Sequence, residues 1–185
     1  MPPENLHITV LEIAHSLTPE KLATVLSQLS PDIIEKVTDY ASVHHPRLIK
    51  PMINYDDGAL VLKFLPSAKD EYTYLHLRRD LFDIVQEAGV TLASRYASPS
   101  AHLTIGRFVV KDEDVVKPGA MAQYVAELEA INRWLQAEYW PVAGEDLSKH
   151  AGQWQIGEGK GLHLVGGRVW YGTGNTVRMG RAASI

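Results

Sequence analysis

A histidine and a threonine separated by one aliphatic residue occur twice, each time inside an apolar run: His7 and Thr9 in LHITVLEIA, and His102 and Thr104 in AHLTIGRFVV. Both runs read as β-strands, being rich in β-branched and aliphatic residues. Successive side chains of a strand point to opposite faces. His7 and Thr9 therefore share one face, with Ile8 and Val10 behind them. His102 and Thr104 share a face, with Leu103 and Ile105 behind. A fold that accepts this chain must bury two aliphatic strand faces and leave two imidazole–hydroxyl faces for other work. One such triplet means little. Two, both in strand-like runs, are harder to ascribe to chance.

The rest of the chain alternates helices and strands without regular spacing. Thr18 reads as an N-cap with Pro19 at the first helical position, and Leu22, Val25, Leu26 and Leu29 recur at helical intervals. A second helix is expected from Pro31 to about His45. Two strands, from Leu48 to Tyr55 and from Ala59 to Leu65, flank the hairpin signal Asp56–Asp57–Gly58. Pro51 marks the first of them as an edge or a bulged strand. Tyr74, Leu77, Leu81, Val85 and Ala88 make one apolar stripe on a helix that Gly89 should stop. Val90 to Ala97 and Leu103 to Val110 read as strands, and Ala120 to Glu138 as a helix. Short strands are expected from Gln153 to Ile156 and from Leu162 to Tyr171. The final GTGNTVRMGRAASI is small and polar, and poor order is expected there. Each half thus holds one His–x–Thr strand and at least one helix, which predicts an α+β fold of two related lobes.

Composition narrows the function. The chain has 185 residues, 45% of them apolar and 22% charged, which suits one globular domain. A formal net charge of −4 does not suit a protein that coats long duplex nucleic acid through charge. It still allows a small basic pocket for one phosphate. There is no cysteine, so disulfides, thiolate nucleophiles and cysteine metal sites are all excluded. No apolar run approaches the roughly 20 residues of a membrane span, and the start lacks a secretory pattern. A soluble intracellular protein, cytoplasmic or nuclear, is expected.

The paired triplets suggest a chemistry. Histidine titrates near neutral pH, so one ring of a pair is able to be neutral while the other is protonated. Such a pair takes a proton from a nucleophile and gives one to a leaving oxygen. Threonine hydroxyls donate to non-bridging phosphate oxygens. This equipment suits cleavage of a phosphodiester without a metal. A cyclic phosphate is a fitting substrate, because its tethered leaving oxygen needs a proton. HExxH and H-x-H patterns are absent, and neither a metal nor a cofactor is expected.

The two stretches HITV and HLTI resemble the paired H-x-[ST]-x motifs of the 2H phosphoesterase superfamily. LIKPMINYD, YLHLRRD and SRYASPSAHLTIGRF are similar to a fungal branch of it described as RNA ligase/cyclic nucleotide phosphodiesterase-like. The resemblance runs from about Asn5 to the WYGTG stretch. It implies that residues 1–185 form a single bilobal domain with the 2′–5′ RNA ligase-like fold. Two pseudo-symmetric antiparallel-sheet lobes would flank a central groove lined by both motifs. It also implies that His7 and His102 are the catalytic acid–base pair and Thr9 and Thr104 the phosphate ligands. The implied enzyme is a hydrolase of a 2′,3′-cyclic phosphate or related cyclic nucleotide, involved in RNA processing. The implied partner is a small nucleotide or an RNA terminus bearing such a phosphate, met by a monomer. The alternatives are a phosphodiesterase or ligase for 2′–5′ linked oligonucleotides, and a catalytically silent module that binds RNA ends. One departure is that His7 lies very near the start, where relatives usually carry a preceding strand.

Arg107 follows the second motif as an arginine does in ligase-like relatives, which makes it a candidate substrate contact. Strict alternation turns it away from His102, and a bulge at Gly106 would re-aim it. Arg95 and Tyr96 precede the second motif and are candidates to hold phosphate and stack on a base. Tyr74 shares a helix face with Arg78 and is a candidate for the groove, although it also belongs to the core stripe. Arg79 with Asp83, and His76 with Asp80, have the spacing of exposed helix pairs.

Overall fold

The computed structural model describes residues 2–93, 101–109, 118–142, 152–168 and 173–183. It is an α+β protein. Four α-helices lie among the described residues: α1 Pro19–Gln28, α2 Pro31–Asp39, α3 Tyr74–Glu87 and α4 Ala120–Tyr139. The strands are β1 Arg47–Tyr55, β2 Ala59–Pro66, β3 Ala101–Arg107, β4 Trp154–Gln155, β5 His163–Arg168 and β6 Thr173–Met179. They form a four-stranded sheet in the order β3–β2–β1–β4 and a separate β5–β6 pair.

The chain folds into two compact units, each assembled from three separated segments. The first comprises Met1–Thr9, Leu48–Leu65 and Ser100–Trp154; the second comprises Val10–Arg47, Pro66–Pro99 and Gln155–Ile185. Division into an N-terminal and a C-terminal lobe with one motif each is therefore not what the contacts give. The β2–β3 and β1–β4 pairings are non-local, and both His–x–Thr segments belong to the first unit.

In the first unit the β1–β2 hairpin closes on Asp56, whose carboxylate accepts from the backbone N–H groups of Gly58 and Ala59, both at 2.8 Å. An aspartate that pins its own turn in this way fixes the register of both strands. β1 is irregular where Pro51 predicted it: Lys50, just before it, adopts the left-handed region with φ 56°. α4 is tied to β1 by Asn132, which exchanges hydrogen bonds with the backbone of Ile53 (2.7 and 2.9 Å), and by Trp140, which donates to the Pro51 carbonyl at 2.9 Å.

The second unit is organised by α3. Its stripe of Tyr74, Leu77, Leu81 and Val85 is buried, and Gly89 ends the helix with φ 82°. Leu29, Val85 and Val90 form a core with Leu11, Ile13, Val25, Ile33, Ile34 and Val37 packed round it. Thr18 caps α1 and Ser30 caps α2, each with a proline following at the first position.

Four expectations need correction. Leu6 to Ala14 is not a continuous strand; only Ile8 makes a β-bridge, and Leu11 and Ile13 leave the strand path to pack in the second unit's core. The second helix is shorter than expected, since it passes at Tyr40 into a single 3₁₀ turn over Tyr40–Ser42. The described part of the C-terminal segment, residues 173–183, is structured: β6 pairs antiparallel with β5. Gly180 then passes so close to α2 that a Cβ there would lie 1.9 Å from the Thr38 carbonyl oxygen. Composition hid this, because the stability comes from contacts with α2 and not from an apolar run. The described part of the Val90–Ala97 stretch is not a strand either, although Ala93 donates to the Ile13 carbonyl at 3.0 Å.

Candidate active face on the four-stranded sheet

β3 pairs antiparallel with β2, with Leu103 opposite Leu62, His102 opposite Lys63 and Thr104 opposite Val61. On the other edge of β3, Ile8 bridges Leu103, also antiparallel. One rank across the sheet is therefore Ile8–Leu103–Leu62. Stepping one residue to either side gives the next ranks: His7–Thr104–Val61 and Thr9–His102–Lys63. Pleating sends alternate ranks to opposite faces. Leu103 is buried, and Leu62 helps wall a cavity with Trp134 and Leu135 of α4, so the middle rank faces α4. The two flanking ranks point the other way. By this register all four motif residues fall on the face away from α4, His7 and Thr9 as neighbours of a single bridge rather than as members of the sheet. His7 and Thr9 are exposed, and His102 and Thr104 are half-buried.

The four form a quadrilateral. His7 lies across from Thr104, and Thr9 across from His102, at about 4.5–5.5 Å between Cβ atoms. The two histidines occupy one diagonal, about 7–8 Å apart along the backbone and somewhat less at Cβ. The two threonines occupy the other.

His7 is also oriented. Its Nδ1 lies 2.8 Å from the carbonyl oxygen of Asn5, at the end of a 3₁₀ turn over Pro3–Asn5. A carbonyl only accepts, so Nδ1 carries the proton and the neutral ring keeps its lone pair on Nε2.

Two cations join this face. The β2–β3 register shifts between Leu60 and Val61, leaving Ile105 unmatched on β3. That bulge resets the alternation. Gly106 then opposes Leu60, and Arg107 opposes Ala59, which shares a face with Val61 and Lys63. Arg107 is therefore turned to the side of His102 and Thr104 by a bulge one residue earlier than Gly106. Lys63, the cross-strand partner of His102, is exposed on the same side. Both cations act on Asp56: its carboxyl is held below the usual range first by the N–H groups of Gly58 and Ala59, and further by the charges of Lys63 and Arg107.

Sequence reasoning missed Lys63. Its only signal was a single charge inside ALVLKFLP, and the register that sets it beside His102 is a tertiary fact. Tyr74, by contrast, is fully buried in the second unit, with the Arg78 guanidinium 5.8 Å over its ring, and burial pushes its hydroxyl pKa up. It is a core residue with no surface to offer a substrate. Arg95 and Tyr96 lie outside the described residues. Arg79 pairs with its neighbour Asp80 (2.6 Å), and Asp80 also accepts from Tyr40 and Tyr72. His76 caps α3 by accepting from the Thr73 N–H at 3.0 Å.

No family model matches the chain, and no curated protein or solved structure does. No helix among the described residues is long and apolar enough to cross a membrane.

Proposed function

We propose that the chain is a metal-independent phosphoesterase of the two-histidine type, opening a 2′,3′-cyclic phosphate or a related cyclic nucleotide. The observation that carries this reading is the shared face. The Ile8–Leu103 bridge sets two imidazoles and two hydroxyls at the corners of one small quadrilateral.

A phosphorus centred over it has hydroxyl donors on one diagonal and the imidazoles on the other. In-line displacement needs the attacking and leaving oxygens on opposite sides of phosphorus. The histidine diagonal supplies a proton acceptor on one side and a proton donor on the other. In the neutral ring Nε2 takes a proton from water as its oxygen bonds to phosphorus. The protonated ring gives its proton to the ribose oxygen as the P–O bond breaks. The product is a phosphomonoester. Thr9 and Thr104 donate to the non-bridging oxygens, and Lys63 and Arg107 offset their charge.

The test is hydrolysis of adenosine 2′,3′-cyclic phosphate followed by phosphorus NMR. Wild type converts it to a monoester. His7→Ala and His102→Ala each lose about 10²–10⁴-fold in kcat, the usual worth of a positioned acid or base. Turnover that survives both replacements would remove the histidines from the reaction.

A further inference from the structure

Lys63 stands just outside the quadrilateral. In the rank Thr9–His102–Lys63, His102 lies between the cation and the centre of the four motif residues. With strands about 4.8 Å apart and a rise of about 3.4 Å per residue, the Cα of Lys63 is about 8 Å from that centre. A phosphate over the centre is met first by the imidazoles and hydroxyls, and Lys63 acts on it at longer range. What its ammonium touches directly is displaced toward β2. In the next rank the β2 position is Val61, which is buried, whereas Lys63 is exposed. Of the two β2 residues that flank the quadrilateral, the cation is the one a ligand reaches.

The charges along the sheet set a direction. β1, β2 and β3 contain no acidic residue. The two carboxylates of this region, Asp56 and Asp57, lie at the hairpin turn, next to the Ala59–Arg107 pair. At that end one guanidinium is set against two carboxylates. At the Lys63 end these strands place no carboxylate at all. A second anion on a substrate is therefore opposed toward the turn and drawn toward Lys63.

Granted the two-histidine reading, on which this rests, we propose that Lys63 determines substrate choice by holding a second phosphate, carried on the 5′ oxygen of the ribose whose cyclic phosphate lies over the quadrilateral. The 5′ oxygen is at the far side of the same sugar from the 2′ and 3′ oxygens, so its phosphate falls one sugar's width from the first. A 5′-monophosphate and the linkage of a nucleotide chain both place a charge there.

Steady-state kinetics on four substrates tests this: adenosine 2′,3′-cyclic phosphate, its 5′-phosphate, adenylyl-(3′→5′)-adenosine 2′,3′-cyclic phosphate, and that dinucleotide with a neutral methylphosphonate linkage. The wild-type KM is about fivefold lower for the 5′-phosphate, the dinucleotide or both than for the 5′-hydroxyl compound, the upper end for an exposed ion pair. The methylphosphonate loses the dinucleotide's advantage. A remote phosphate binds alike in the ground and transition states, so kcat changes little. Lys63→Met brings the KM ratio to about one and Lys63→Arg keeps it; each ratio is taken within one variant, so a loss common to all substrates cancels. An advantage confined to the 5′-phosphate makes the substrate a mononucleotide, and one shared by the dinucleotide makes it a chain end. Equal KM for charged and uncharged forms, or an advantage that survives Lys63→Met, overturns the role of Lys63. Turnover of none of the four by wild type defeats the phosphoesterase reading by itself. Dissociation constants of the same compounds, measured by calorimetry, then give the same ratios and decide the role of Lys63 separately. Absence of binding overturns both.

Discussion

At the scale of single residues, the account rests on what each side chain does for a phosphate over the quadrilateral. A threonine hydroxyl that tightens on a developing oxyanion contributes to the transition state more than to the ground state. Thr9→Ala and Thr104→Ala should therefore lower kcat on a cyclic phosphate, by about 10- to 1,000-fold each, the range of lost oxyanion donors. Lys63 differs in kind. In the proposed reaction its charge would meet the substrate's phosphate before and during the step alike. Lys63→Met should raise KM and leave kcat nearly unchanged, the signature of binding that is uniform along the reaction. Steady-state kinetics on both sets of variants separates the two roles.

At the scale of elements, what the sequence made legible is what local chemistry decides. α3 could be read from Tyr74, Leu77, Leu81 and Val85 because a period of 3.6 needs no knowledge of neighbours, and Gly89 stops it for the same local reason. The hairpin at Asp56 was equally plain. The site was legible in part. His7, Thr9, His102 and Thr104 could be named from pattern alone, and a bulge was recognised as the device that would turn Arg107. Lys63 could not be named, and Tyr74 was ambiguous until its burial was known. β6 was misread because the side-chain ties that anchor it beyond its pairing with β5 come from a residue remote in the chain. Asp39, at the end of α2, accepts from the Arg178 guanidinium of β6 (2.8 and 3.1 Å), and from the backbone N–H and Nε of Arg181 (2.8 and 2.7 Å).

That tie has a pH signature. The hydrogen bond from Arg178 is the main cause holding the Asp39 carboxyl well below its ordinary 3.8; burial opposes it, and Arg181 reinforces it. A depressed carboxyl stabilises the fold above the unfolded-state value and loses that contribution as pH falls below it. Asp39→Asn should cost about 1.5–3 kcal/mol at neutral pH, as charge-assisted hydrogen bonds do. The gap between wild type and variant should close as pH drops below about 3.8, the ordinary aspartate value. Urea unfolding at a series of pH values measures it, and a gap that stays constant into acid would show that Asp39 does not carry the tie.

At the scale of the molecule, each unit draws on three stretches of chain, and the first unit gathers residues from the beginning, middle and later part of the sequence. Such gathering is what brings His7 beside Thr104, and no local rule announces it. It also gives a chain of net charge −4 a face that carries Lys63, Arg107 and two histidines together. The charge total argued only against coating long duplex nucleic acid; the placement of charge is compatible with one small anion. The pairing of the N-terminal segment with β3 is the joint on which this turns.

A crystal structure of the full chain grown or soaked with inorganic phosphate examines that joint head-on. The ion should sit over the Ile8–Leu103 bridge, within about 2.6–3.2 Å of an imidazole nitrogen from each of His7 and His102 and touched by both threonine hydroxyls. Phosphate bound elsewhere, with the two rings on unrelated surfaces, would contradict the account.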